Sequence, residues 1–305
     1  MKRVILVLLA SYGASARESP FDVINREAAT SEVKERALRG DVHLLEGSGG
    51  NIVVLADPQG ALMVDAGIAV SKEKIRSALH GFGVGAPKFL VNTHWHWDHT
   101  DGNEWLHEAG ATIIAHPNTT RHMSSATTVA EWEHTFAPWP VGARPTVAVE
   151  SANTIRLGHE TVLIRYLGPS HTDGDLSIYF EKADILVLGD VWWNGFFPFI
   201  DKSHGGSIDG TIRATNQSIA KAGDRTLMIP GHGAPGGRAE LIEYHDMLVT
   251  VRDNVARMKS EGRSLAEVIA SKPTAPYDDK WGKGVITPGF FTQIVYSSLP
   301  GDLGP

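Results

Sequence analysis

The stretch Asn92-Thr93-His94-Trp95-His96-Trp97-Asp98-His99 sets three imidazoles and one carboxylate into six consecutive positions, directly after the run Lys88-Phe89-Leu90-Val91. Side chains this rich in lone pairs need a backbone element that ends and turns beneath them. In extended backbone, positions i and i+2 share a face, so His94 and His96 can close on one ion. The chain then turns and delivers Asp98 and His99 from another direction, so two neighbouring ions can share the loop. Imidazole and carboxylate donors suit zinc or another borderline first-row metal. A histidine-rich surface tract is the competing reading. The placement between a buried strand and the Gly102-Asn103 turn argues against it.

A chain of 305 residues, 42% hydrophobic and 21% charged, has the composition of a globular protein with a sizeable core. Its net charge of -7 argues against a nucleic-acid partner, which asks for a basic footprint. Cysteine is absent, which removes disulfides, thiolate metal sites and cysteine nucleophiles together.

Lys2 and Arg3 precede the apolar run Val4 to Ala10, and Ala14-Ser15-Ala16 is a small-residue cleavage pattern. Residues 1–16 therefore read as a secretory signal, and the mature protein as exported, to the periplasm if the source is Gram-negative. A buried first strand is the alternative. The apolar run is too short for a comfortable membrane span, so no stable membrane insertion is expected once the signal is removed.

A lead over residues 17–40, with a helix expected from Val23 to Leu38, gives way to short apolar stretches at Val42 to Leu45, Ile52 to Ala56 and Ala61 to Val64. Gly47-Ser48-Gly49-Gly50 and Asp57-Pro58-Gln59-Gly60 separate them as turns, so they read as hairpins. Helices are expected at Ser71 to Gly81, Asn103 to Ala109 and Asn118 to Phe136, with a strand at Thr112 to Ala115. The second half repeats the grammar. Strands are expected at Thr146 to Val149, Thr154 to Leu157, Thr161 to Tyr166, Leu176 to Phe180, Ile185 to Leu188 and Thr226 to Ile229, and a helix at Ile208 to Ala222. Two β-rich halves, each closed by helix, suggest sheets packed face to face with helices outside. A main domain over 41–271, ending in two helices, and an irregular tail over 272–305 complete the organisation.

Three more signals fall where second-half strands end. His171 lies in Gly168-Pro169-Ser170-His171-Thr172-Asp173-Gly174-Asp175, Asp190 follows Ile185-Leu186-Val187-Leu188-Gly189, and His232 lies in Pro230-Gly231-His232-Gly233. Each has a glycine nearby that permits close backbone approach. Any one alone is an ordinary loop residue; their shared position lifts them.

The order His94-x-His96-x-Asp98-His99, then His171, Asp190 and His232, resembles the metallo-β-lactamase superfamily over about residues 42–260. The resemblance implies an α+β fold, a four-layer αββα sandwich of two mixed β-sheets flanked by helices. It implies two zinc ions, the first held by His94, His96 and His171, the second by Asp98, His99 and His232, with Asp190 bridging. Asp65 matches a strand-end aspartate common in the superfamily and would orient a metal-binding histidine; a plain turn aspartate is the alternative. Asp190 stands where the best-known broad-spectrum β-lactamases carry cysteine. That makes the chain more similar to other hydrolases of the superfamily, above all an exported β-lactamase-like group.

Two zinc ions about 3.5–4 Å apart can share a water and supply hydroxide at neutral pH, with Asp98 taking up a proton. The leading expectation is an exported dinuclear zinc hydrolase that cleaves a cyclic amide such as a β-lactam, a lactone or a related ester. Thioester or phosphodiester hydrolysis on the same scaffold, and a non-catalytic periplasmic accessory role, are the alternatives. The partner is a small-molecule substrate; oligomeric state is not legible. Among the aromatic residues crowding the metal-bearing loops, Trp95, Trp193 and Phe196 are the expected substrate contacts. His116 is a candidate for the site wall, and Lys202 and His204 for binding a carboxylate.

Overall fold

The computed structural model describes residues 19–300 except residue 48. The expected signal over residues 1–16 lies outside the described residues. After α1 (Pro20–Thr30) and β1 (Lys34–Ala37), the first half runs through β2 (Val42–Glu46), β3 (Ile52–Asp57), β4 (Gly60–Val64), α2 (Lys72–Gly81), β5 (Pro87–Val91), α3 (Trp97–Thr100), α4 (Asn103–Glu108), β6 (Thr112–Ala115) and α5 (Pro117–Met123). A small hairpin of β7 (Thr127–Val129) and β8 (His134–Phe136) follows, then β9 (Val147–Ala148). The second half comprises β10 (Ala152–Leu157), β11 (Glu160–Tyr166), β12 (Leu176–Phe180), β13 (Ile185–Trp193), α6 (Ile208–Lys221) and β14 (Leu227–His232). It closes with α7 (Arg238–Ser260), α8 (Leu265–Ala270), α9 (Asp278–Trp281) and α10 (Pro288–Ser298).

Alternation within the strands builds the layers. In β3, Val53 and Leu55 face a core shared with Val162, Ile164, Ile178 and Val187 of the second half, which is where the two sheets meet. Their neighbours Ile52 and Val54 face Ile75 and Leu79 of α2 and Leu106 of α4. In β13, Val187 faces the other sheet, whereas Leu186 and Leu188 face the helical side with Ile208, Leu241, Met247 and Phe291. A period of two with both faces apolar means that each sheet is covered on both sides, and the result is helix, sheet, sheet, helix.

Both sheets are mixed. The first has the order β1-β2-β3-β4-β5-β6-β9, antiparallel to β4 and parallel from β4 to β9. The second has the order β10-β11-β12-β13-β14, and only β13 and β14 run parallel. Parallel neighbours end at the same edge, so the residues leaving β4 and β5 come together there, and Asn51 ties that edge to the end of β14 in the other sheet. That edge carries the site.

Several local expectations change. The lead helix stops at Thr30 and its expected second half is strand β1. The expected helix from Asn118 to Phe136 stops at Met123, because Thr127, Thr128, Val129 and Thr135 are β-branched and pair as a hairpin. β13 runs on through Trp193, so Asp190 lies inside a strand. A register shift at Gly189, whose φ of +52° suits glycine, re-aims the chain there. The tail expected to be irregular carries α10, which Thr287 caps and Pro288 starts.

The first helix is fastened at both ends. Phe21 stacks on His134 at 3.7 Å between ring centroids and lies 5.1 Å from Trp97, while Lys74 Nζ donates to the carbonyls of Ala28, Ala29 and Ser31 at 3.1, 2.8 and 2.6 Å. Lysine at those orphan carbonyls satisfies the helix C-terminus. Replacing Lys74 with alanine is expected to lower stability by about 1 kcal/mol. An unchanged urea midpoint at unchanged slope would show that the clamp contributes nothing.

Candidate metal centre

His94, His96, His171 and Asp190 form one group of potential ligands and Asp98, His99 and His232 another; within each, one ligand atom per residue lies within 4.8 Å of the others. All but His232 are buried. Asp190 stands between the groups. Its Oδ2 lies 3.5 Å from His171 Nε2 and 3.9 Å from His94 Nε2 on one side and 3.5 Å from His232 Nε2 on the other, and its Oδ1 lies 3.1 Å from His99 Nε2. Asp98 Oδ2 lies 3.2 Å from His232 Nε2 and 3.5 Å from His99 Nε2. The seven residues come from four separated segments.

Partners outside the two groups decide which ring nitrogen of each histidine is free. Thr93 Oγ1 donates its one proton to Asp65 Oδ2 at 2.7 Å, so toward His94 Nδ1, 3.0 Å away, it can only accept. His94 therefore carries its proton on Nδ1 and presents a bare Nε2. His171 Nδ1 donates to the Phe199 carbonyl at 2.8 Å, and His96 Nε2 donates to Asp201 Oδ2 at 3.0 Å. That leaves His171 Nε2 and His96 Nδ1 as two lone pairs facing each other at 2.9 Å. Two bare imidazole nitrogens this close repel unless a cation lies against both. His99 Nδ1 binds Asp65 Oδ2 at 2.8 Å and turns its Nε2 inward. His94 Nε2, His99 Nε2 and Asp190 Oδ1 are buried without hydrogen-bond partners, although His99 and Asp190 approach to 3.1 Å. Atoms that converge without bonding one another face a common centre. The donor set fits a metal centre.

Burial dominates the titration of His94 and His96, whereas carboxylates decide that of His99 and His232. Burial lowers His96 to about 4 and His94 well below its usual value, so both are neutral at pH 7. At His232 burial is the largest single effect and acts downward, but the Asp190 and then Asp98 carboxylates together outweigh it and lift the ring to about 9; His99 rises well above its usual value against burial, through Asp190 and then Asp98. Asp190 itself falls well below the carboxylate range, burial being overcome by His232, His99 and His94. A metal entering the second group must then displace protons at neutral pH.

Glycines make the approach possible. A Cβ on Gly231 would lie 1.9 Å from Asp190 Oδ1, and one on Gly50 would lie 2.1 Å from His99 Cε1. Any larger residue at either position pushes into the site.

A match to the model of the metallo-β-lactamase superfamily extends over residues 45–232. The chain belongs to the metallo-β-lactamase superfamily. Among curated relatives, the metallo-β-lactamase type 2 of Bacillus cereus is 26% identical over 204 residues, spanning 65% of this chain and 72% of that protein. The probable metallo-hydrolase YqgX of Bacillus subtilis (strain 168) is 24% identical over 151 residues, 48% of this chain and 69% of its own length. Among solved structures, the DIM-1 metallo-β-lactamase superposes with a TM-score of 0.57 at 20% identity, covering 72% of this chain and 98% of that one. The stereoselective inverting sec-alkylsulfatase Pisa1 from Pseudomonas sp. gives a TM-score of 0.67 at 15% identity and covers 95% of this chain and 56% of that one. At these identities the superpositions show the fold. The superfamily is hydrolytic and metal-dependent.

The aromatic expectations divide. Trp193 and Phe196 line a cavity of about 480 Å³ that also touches His232, and the Trp193 ring lies 4.3 Å from the His232 ring. Trp95 does not. It is fully buried behind His96 and His204, at 4.6 and 4.9 Å between rings, because its position in the loop alternates away from the ligand face. His116 caps α5 and stacks on Tyr166 at 3.9 Å, and it belongs to neither ligand group. The carboxylate that His204 binds is the protein's own, since its Nδ1 lies 2.7 Å from Asp201 Oδ2.

Asp201 is the functional residue that sequence reasoning passed over. Its fully buried carboxylate is held as an anion, burial being outweighed by hydrogen bonds from His204 and His96, and it fixes the proton on His96 Nε2. Asp201→Asn offers His96 a donor instead, which draws the ring's proton to Nδ1, the nitrogen needed for metal. The expected result is a metal affinity of the first group weaker by about 10- to 100-fold, read by chelator competition; an unchanged affinity would remove Asp201 from the site.

The metal-free protein has a pH signature with a definite sign. His232 titrates higher folded, about 9, than its ordinary 6.5, so its contribution to stability is complete below 6.5 and is lost as pH rises through about 9. The melting temperature of the metal-free protein is expected to fall across that window, and His232→Gln to flatten the fall. A melting temperature rising from pH 7 to 10 would contradict the assignment.

Proposed function

We propose that the chain is an exported hydrolase that uses two zinc ions to cleave a cyclic amide, a lactone or a related ester. His94, His96 and His171 hold one ion, Asp98, His99 and His232 the other, with Asp190 between. The observation that carries this reading is the Asp190 carboxylate, within 4 Å of histidine nitrogens from both groups and lacking a hydrogen bond at Oδ1. Nitrogen and oxygen donors without thiolate favour zinc, with no redox demand on the site. Such ions, when bound, polarise a scissile carbonyl and make a bound water acidic.

The chain's own residues do the rest. Asp98 accepts the proton of the attacking water at its carboxylate and returns it to the leaving nitrogen or oxygen. Its affinity for protons lies below that of an ordinary carboxyl, burial being offset by His99 and then His232, so it is anionic and ready to accept at neutral pH. His94 and His96 stay neutral because burial disfavours their charged forms, and so present lone pairs without competing protons. Trp193 walls the approach beside His232. Export rests on the charged, apolar and small-residue pattern of residues 1–16, and among the described residues no helix is long and apolar enough to cross a membrane.

Zinc-loaded protein is to be tested on nitrocefin, an acyl-homoserine lactone, S-lactoylglutathione and bis-p-nitrophenyl phosphate. A secondary alkyl sulfate joins this panel because the alkylsulfatase overlap extends over 95% of this chain. Turnover of the first or second is expected. No turnover with two zincs bound would sink the hydrolase reading and favour the accessory role, and turnover of another member alone would move the bond class. Asp190→Ala is expected to lose both metal content and at least about a hundredfold in rate; wild-type values for both would end its bridging role.

A further inference from the structure

The cavity beside Trp193 has walls from outside residues 45–232. One wall is α1, through Ile24 and Ala28, and the other is the segment joining α9 to α10, through Val285. Both are fastened. The clamps at the two ends of α1 hold the first, and Phe197 N donates to the Trp281 carbonyl at 2.8 Å beside the second. The ring of Phe196 fills the space a side chain on Gly284 would need, at 2.8 Å from an added Cβ. The cleft is therefore preformed.

Its floor reaches the second ligand group. Gly49 lies in the floor, and a Cβ there would sit 2.7 Å from Asp98 Cβ. Above the floor the surfaces are apolar, from Ile24, Ala28, Trp193, Phe196 and Val285, and Val285 leaves 40% of its surface to solvent at the mouth. Glu27, Ser31 and Lys283 also line the cavity and share its wall with the apolar side chains. A volume of about 480 Å³ suits a drug-sized or medium-chain group.

We propose that this cavity binds an apolar substituent of the substrate, an alkyl or aryl group several carbons long, and that α1 and residues 283–285 set specificity. The proposal rests on the hydrolase reading only in placing the cleaved bond at the two ligand groups. Burying a chain against these side chains gains a constant increment per methylene, so specificity takes the form of a dependence on chain length.

The test is calorimetry at pH 7 with full-length zinc-loaded protein and straight-chain carboxylates of two to ten carbons. The head group goes to the ligand groups and the chain to the cavity. Affinity is expected to rise about fourfold per methylene until the cavity is filled. Ile24→Trp fills the cleft from α1. Val285→Asp places a charge at the mouth, where the side chain is already exposed and the fold tolerates it. Each is expected to reduce the ratio of ten-carbon to two-carbon affinity by about tenfold or more. A flat series in the wild type, or an unchanged ratio in Val285→Asp, would overturn the subsite. Turnover is not read here, so the two proposals fail separately. Protein that shows the chain-length dependence but hydrolyses nothing in the panel retains the subsite, and protein that turns over nitrocefin with a flat series loses it.

Discussion

Seven ionisable side chains meet between the two sheets, six of them buried, and the carboxylates of Asp65 and Asp201 make that arrangement tolerable. An ionised group away from water is costly unless its lone pairs and protons are met. Asp65 accepts from Thr93 N and Thr93 Oγ1 at 2.7 Å each and pairs with His99 Nδ1 at 2.8 Å. Those contacts hold a non-glycine residue at a φ of +63°, and they tie the end of β4 to the end of β5. Asp201 does the same for His96 and His204. Each carboxylate sets a proton on the outer nitrogen of a ring, and for His96 and His99 this turns the other nitrogen toward the ligand groups.

Sheet geometry converts this local chemistry into a two-sided site. His94, His96, Asp98 and His99 arrive from the loop after β5, while Asp190 and His232 arrive from the parallel pair β13 and β14 of the opposite sheet. The Gly189 register shift turns Asp190 inward, and Asn51 Nδ2, bonded to the carbonyls of Pro230 and Gly233 at 2.9 Å, pins the His232 turn to the first sheet.

The division of labour along the chain follows. Residues 45–232 hold the ligand groups and the family resemblance, whereas α1 and the segment before α10 stand over the cleft without joining the ligand groups. A scaffold of this kind can keep its candidate metal centre while its walls vary, because the cavity borders the centre through Gly49, His232 and the neighbouring Trp193 and Phe196.

Much of the site was readable in order along the chain, for a physical reason. His94, His96, Asp98 and His99 sit within six positions, where spacing alone dictates which side chains share a face, and the remaining candidate ligands announce themselves as polar residues beside glycine near apolar strands. The sandwich was readable too, since alternation and turn residues are local. Asp201 was not, because it meets His96 across 105 positions of sequence and nothing local distinguishes a bonded carboxylate from a solvated one. Trp95 and Trp193 look alike in sequence, yet one is buried behind the ligands and the other borders the cavity, a difference made by packing. The sequence by itself determined the ligand types, their order and the layered fold, all consequences of short-range periodicity. Only the tertiary structure decided which nitrogen of each histidine is free and which distant segments wall the cleft, because both depend on contacts between elements that no local spacing encodes.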